Sequence, residues 1–209
     1  LFSLVLVLAC GETMFGASLN LAGQWQFQLD PKDEGVTNQW WTGSLNDQIS
    51  LPGTTAIARK GNPLALEPKL DKTTLQHLHQ KYSYIGPAWY QREIHVPADW
   101  QGQDVQLTLE RVIWETRVWI NGKPVGTRDS LSTPHQYEIG GELLPGKNRI
   151  TIRVDNRKKL DIGIGHAYTE ETQTIWNGIV GRIELEPLPL VRIEHLKTMP
   201  SLEQRNLQV

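Results

Sequence analysis

Cysteine is almost absent: Cys10 is the only one in 209 residues. One thiol closes no internal disulfide, so the folded part must stand on its apolar core. Neither sign of charge is in excess, with 21 Lys and Arg against 23 Asp and Glu and a net charge of −2. The basic residues are scattered, which argues against a nucleic-acid footprint and against a polybasic membrane patch. The opening apolar run, LFSLVLVLA, is nine residues long. A membrane-spanning helix needs about 20, so no transmembrane helix is expected. There is no phosphate-cradling glycine motif, no Ser/His/Asp arrangement, no CxxC and no internal repeat. His77 and His79 lie two apart without a third ligand at a metal-site spacing, so neither a metal nor a cofactor is expected.

Tryptophan, by contrast, is abundant, with eight copies. Its ring is a rigid apolar platform with a polar edge, suited both to β cores and to sugar-binding faces. Trp25, Trp89, Trp114 and Trp119 fall in or beside strand-like segments and are expected in the core. Trp40 and Trp41 stand together in a polar loop. They read either as an exposed platform or as a satellite cluster under that loop.

The apolar run before Cys10 has the character of the central region of a secretory signal, here without its charged start. Small residues follow, and cleavage near Gly11 or Ser18 is expected. Val7-Leu8-Ala9-Cys10 also resembles a bacterial lipobox, with Cys10 as the lipidated residue and Leu8 atypical; plain secretion is the other reading. Either way residues 1–18 read as a signal segment. The protein is then secreted, or periplasmic or outer-membrane-anchored in a bacterium.

From Leu19 onward the pattern is strands and turns. LAGQWQFQLD alternates Leu21, Trp25, Phe27 and Leu29. QISLPGTTA is a short strand ending in a Pro-Gly turn. Residues 59–80 have no sustained period and read as a long surface excursion, with one helical turn near Leu75–Leu78. AWYQREIHVP alternates Trp89, Gln91, Glu93 and His95 against Tyr90, Arg92, Ile94 and Val96, while DVQLTLERV puts Val105, Leu107 and Leu109 on one face. In ETRVWINGKPVG an Asn-Gly pair joins two apolar segments, the signature of a two-residue hairpin whose central residues both need positive φ. A turn at Pro145-Gly146 leads into a strand through Ile150, Ile152 and Val154, and GRIELEP closes the set. Seven or more strands at short spacing predict an antiparallel sandwich over residues 19–188. Pro187 and Pro189 read as a linker. Residues 189–209 then start a further strand-like pattern at Val191–Ile193.

WYQREIHVPADW, RVWINGKPVG, ELLPGKNRITIRVDN and WNGIVGRIELE, in that order, resemble the N-terminal sugar-binding domain of glycoside hydrolase family 2, the family of β-galactosidases, β-glucuronidases and β-mannosidases. The resemblance covers residues 20–190. It implies an all-β, jelly-roll β-sandwich of the galactose-binding-domain-like kind, with an immunoglobulin-like domain and a (β/α)₈ barrel downstream as partners and a β-glycoside as ligand. The family's two catalytic glutamates stand on that barrel, at the separation of ~5–5.5 Å that a retaining mechanism needs. No catalytic residue is therefore expected in this chain.

The resemblance also implies site residues. Asp155, with Asn156 next to it, matches a strand-end Asp that reaches the sugar in family β-galactosidases; the other reading is an Asx turn. His166, Glu170 and Glu171, with Gln173, lie in the loop GIGHAYTEETQT, which in the family can face the barrel; a solvated acidic loop is the alternative. Adjacent carboxylates in one loop do not give the opposed geometry of glycoside hydrolysis. Trp176, before Asn177 and Gly178, reads as a packing residue or as a sugar-stacking one. The family's galactosidases carry an Asn just before the WYQRE-like strand. Here that segment is YSYIGPAWY, which leaves room for another β-hexoside or a uronic acid.

Overall fold

A computed structural model of the chain describes residues 18–63, 81–163, 168–169, 175–189, 191–193, 197–201, 203 and 206–208. Fifteen strands are described, and their alternating side chains decide where each goes. They are β1 (Leu19–Asn20), β2 (Gly23–Leu29), β3 (Asp47–Leu51), β4 (Gly53–Thr54), β5 (Asn62–Pro63), β6 (Tyr82–Ser83), β7 (Pro87–Val96) and β8 (Asp104–Arg111). After them come β9 (Glu115–Ile120), β10 (Lys123–Asp129), β11 (His135–Glu138), β12 (Gly146–Asp155), β13 (Gly178–Leu188), β14 (Met199–Ser201) and β15 (Asn206–Gln208).

Two antiparallel sheets carry the domain. One runs β10-β9-β12-β7-β2-β3; the other runs β1-β13-β8-β11, with β4 added to the start of β13. The first sheet turns Trp25, Phe27, Tyr90, Ile94, Val118, Ile120, Ile150, Ile152 and Val154 inward. The second meets them with Val105, Leu107, Leu109, Tyr137, Ile179, Ile183 and Leu185. All are buried, as period-2 alternation requires of facing sheets. The Asn121–Gly122 hairpin forms as its sequence demands, at φ 52° and 82°.

Three details depart from the sequence reading. Pro187 is no linker: it pairs with Val105 inside β13. It lies past the β1 register, which ends at Leu19–Leu185, so on that side its missing N–H breaks no ladder. Val191 and Ile193 form no strand and are 91% and 83% exposed. The pairing in that region is instead β14 with β15. Finally, β7 is buried on both faces over Ala88–Gln91, because the loop at residues 30–46 folds over the outer face of the six-stranded sheet.

Candidate functional site

At one end of the sandwich β12 finishes, β13 begins, and the β6–β7 connection crosses between them. Two buried amides tie these elements together. Asn177, wholly buried, accepts the Tyr90 hydroxyl at 2.7 Å and donates to the Gly86 carbonyl at 2.8 Å and the Val154 carbonyl at 3.3 Å. Asn156, also wholly buried, accepts the Gly86 N–H at 2.9 Å and donates to the Tyr84 carbonyl at 2.9 Å. Burial of an amide is tolerable only when its donors and acceptors are all met, and here they are met by the Tyr90 hydroxyl and by backbone groups of Tyr84, Gly86 and Val154.

Beside this node lies a charge cluster. The Asp155 carboxylate is held by Arg157 at 2.6 Å, Lys159 at 3.1 Å and Arg153 at 3.2 Å. Arg157 and Arg153 also grip Asp33, at 2.6 and 2.8 Å, and Arg153 and Lys159 reach Glu115, both at 3.3 Å. Three carboxylates thus share three cations, with Arg117 a fourth on Glu115 at 3.4 Å. Burial by itself would raise the Asp155 pKa. The hydrogen bonds from the Arg157 side chain and backbone and from Lys159 outweigh it and hold the carboxyl well below the usual carboxylate range. Asp155 also accepts the Arg157 N–H at 3.1 Å, two residues on, which is the Asx turn expected of a strand-end Asp.

Both Asp155 and Asn156 therefore have their side chains committed inside the protein. Trp176 is half-buried at the rim. Tyr168 caps the node, its hydroxyl donating to the Asn156 carbonyl and its ring meeting Trp114 edge-on at 5.2 Å. Three aliphatic side chains close in sequence to members of the node are exposed, Ile57 (79%), Ile85 (46%) and Leu160 (67%). Ile57 lies two residues after Thr55, whose N–H donates to the Asn177 carbonyl, Ile85 precedes Gly86, and Leu160 follows Asn156 by four residues. His166, Glu170 and Glu171 lie outside the described residues, as do Gln173, His77, His79 and Cys10.

Trp40 and Trp41 sit elsewhere, on the outer face of the six-stranded sheet, and answer to the satellite cluster. Trp41 stacks on Trp119 at 4.9 Å, Trp40 meets Trp89 at 6.0 Å, and Leu45 and Val36 complete the group. Asp30 pins the loop above them: its carboxylate accepts the Glu34 and Gly35 N–H groups at 2.9 Å and the Trp89 indole N–H at 3.0 Å. Gly35 lies against this anchor. An added Cβ would fall 2.5 Å from Trp89 Nε1 and 2.7 Å from Asp30 Oδ2. Gly35→Ala is accordingly expected to lower stability by about 1–3 kcal/mol, the usual cost of overpacking. Urea denaturation followed by tryptophan fluorescence checks this, and an unchanged midpoint would refute it.

Sequence reasoning missed Arg153, Arg157, Lys159, Asp33 and Glu115. A signal existed for three of them: RVDNRKK places basic residues two before, two after and four after Asp155. Chemically the cluster can hold and orient. Asp155 itself is no general acid, because its carboxyl is kept ionised at neutral pH.

The architecture is that of the sandwich found in solved β-glucuronidases. The Ruminococcus gnavus β-glucuronidase in complex with D-glucaro 1,5-lactone superposes with a TM-score of 0.64 at 19% identity, over 86% of this chain and 31% of that one. An uncultured Clostridium sp. β-glucuronidase matches with a TM-score of 0.60 at 20% identity, over 86% of this chain and 30% of that one. At sequence level the family model "Glycosyl hydrolases family 2, sugar binding domain" matches residues 18–189, and the chain belongs to that family. Among its relatives, a β-glucuronidase of Paenibacillus borealis is 28% identical over 146 residues, 69% of this chain and 22% of that protein. A β-galactosidase of Priestia megaterium is 24% identical over 201 residues, 92% of this chain and 19% of that protein. The chain thus spans about a fifth of the length of these relatives.

Proposed function

We propose that this chain is the non-catalytic sugar-binding domain of a multidomain, retaining glycoside hydrolase, and that the Asn156–Asn177 end of the sandwich faces the catalytic barrel. The relatives' names favour β-glucuronides or β-galactosides as substrates of the whole protein. The observation that carries the reading is the match of residues 18–189 to the family's sugar-binding domain in a chain that spans about a fifth of its relatives' length. Exposed aliphatic side chains at Ile57, Ile85 and Leu160, each within four residues of a member of the node, are suited to meeting another domain. The ionised, cation-bound Asp155 beside the node is suited to positioning rather than proton transfer.

In this reading direct sugar contact falls to the accessible groups, Trp176, Arg157 and Lys159, and Asp155 and Asn156 hold them in place. The apolar start of the chain favours export, and residues 189–209 lead toward the next domain. The isolated chain is expected to release no nitrophenol from aryl β-glucuronides or β-galactosides. The longer protein is expected to do so, with Trp176→Ala or Lys159→Ala raising KM more than it lowers kcat. Turnover by the isolated chain would overturn the non-catalytic assignment. An unchanged KM in both variants would overturn the contact assignment.

A further inference from the structure

The outer face of the six-stranded sheet is only half covered. The Trp40–Trp41 loop closes the end near Arg153 and Glu115. The other end is open, and two clefts of about 400 and 440 Å³ lie on it. Both are lined by Glu93 and Arg149, so they are two halves of one groove. It runs across β2, β7, β12 and β9, from Gln24 to the Asn121–Gly122 turn. From β2 to β9 is three strand spacings, roughly 15 Å. Arg149 and Asp155 are six residues apart on β12, so this groove lies roughly 20 Å from the Asp155 cluster.

The lining is unusual for an ordinary solvated sheet face. Strand alternation brings three amides together on β2 and β7, and Gln26 and Gln91 face each other across the ladder. Gln91 is buried and donates to the Thr151 hydroxyl at 3.0 Å, which fixes its orientation. Gln24 donates to Ser50 at 2.6 Å, and the Gln26 oxygen accepts the Leu45 N–H at 3.2 Å. The Gln26 amide nitrogen finds no acceptor among the described residues. An amide both donates and accepts, which is what a vicinal diol requires of its partner. Trp41 adds an aromatic wall, half-buried and already immobilised by its stack on Trp119. Rigid aromatic surface with a few convergent polar groups is the recurring make-up of a small-molecule site.

The charges choose among saccharides. Lys147 and Arg149 face the groove against one carboxylate, Glu93, leaving one positive charge in excess, while the Arg92 guanidinium turns to the other face of the sheet, over Trp25 and onto the Ala22 carbonyl. The Glu93 pairs with Lys147 at 3.0 Å and Arg149 at 3.7 Å are solvent-exposed. Such pairs contribute little to stability and exchange readily for a ligand's carboxylate. Arg149 is held in place from behind, donating to the carbonyls of Thr42 at 3.2 Å and Gly43 at 3.3 Å. We propose that this groove is a second carbohydrate site, separate from the Asn156–Asn177 end, and that it takes a short uronate-bearing oligosaccharide. Its amides meet the hydroxyls, Trp41 meets an apolar ring face, and Arg149 and Lys147 meet the carboxylates. The proposal does not depend on the barrel-facing role of the other end.

The test uses the full 209-residue chain, isotope-labelled. Two probes differ only at C6: cellotetraose, and the β-1,4-glucuronan tetramer in which each CH₂OH is a carboxylate. The glucuronan tetramer is expected to bind saturably, shifting the Gln24, Gln26 and Gln91 side-chain amides and the Trp41 indole N–H. It should bind about tenfold more tightly than cellotetraose at low salt, with the preference shrinking as salt screens the charges. Arg149→Gln and, separately, Lys147→Gln should each remove most of that preference while amide dispersion stays that of the folded chain. Shifts confined to Trp176 and the Asn156 end would overturn the proposal. So would equal affinity for the two tetramers, or no saturable shift.

Discussion

Asn177→Ala is expected to cost about 4 kcal/mol of folding stability. The side chain is wholly buried and meets the Tyr90 hydroxyl and the Gly86 and Val154 carbonyls. Alanine leaves these groups desolvated and unpaired, at about 1–3 kcal/mol for each, less whatever a trapped water restores. For a domain of this size that amounts to a fall of roughly 8–16 °C in Tm. Tyr90→Phe removes one partner of the same network and should cost less. The double variant should cost less than the sum, because the two share a hydrogen bond. Chemical denaturation of the four proteins checks both statements. A loss under about 1 kcal/mol for Asn177→Ala would mean that the node is replaceable by solvent.

The second large effect is carried by pH. Asp155 has its folded-state pKa depressed, with burial outweighed by Arg157 and Lys159. Asp33 is depressed in the same sense, burial there being outweighed by Arg153 and Arg157. A depressed carboxyl binds fewer protons in the folded than in the unfolded chain. Its stabilisation is therefore complete above the unfolded pKa, about 4, and is lost as pH falls through the lower folded value. Stability should be flat near neutrality and fall steeply below about pH 4. Asp155→Asn should cost about 3 kcal/mol or more at pH 7, since three cations then lose a buried counter-charge. The variant should also show a shallower acid limb. Equal acid limbs in the two proteins would remove Asp155 from the explanation.

Local signals carried most of the fold. Asn121–Gly122 states its own turn, because few other pairs accept two positive φ values. Val105, Leu107 and Leu109 declare their face by alternation alone, and all three are buried. The outer aromatic cluster was harder. Alternation assigns Trp89 to the face opposite Tyr90, and nothing in the local pattern says that the loop at residues 30–46 returns to cover that face. The Asp30 contacts, to backbone N–H groups and to an indole 59 residues away, and the stack of Trp41 on Trp119 reveal it. Asn177 likewise looks in sequence like an ordinary turn residue. Two of its partners are 87 and 91 residues distant, so no window of local sequence contains the set. Asp155 was legible as an Asx turn, but its cations arrange themselves only once β9, β12 and the residue 33 turn are assembled.

Those separations also bear on how the domain is made. Gly86 and Tyr90 leave the ribosome well before Asn177, and β13, which pairs with β1, β4 and β8, comes last of the sandwich strands. The six-stranded sheet can assemble from the chain up to Asp155, with β8 and β11 covering part of its inner face, but the cover is incomplete until β13 arrives. A topology so dominated by distant pairings folds slowly, in milliseconds to seconds. The closing step waits on a single late strand, and until then a row of Val, Ile and Tyr side chains is exposed to its neighbours. Newly synthesised chains are thus most prone to associate wrongly just before Asn177 docks, and the same residue that locks the finished sandwich sets when that hazard ends.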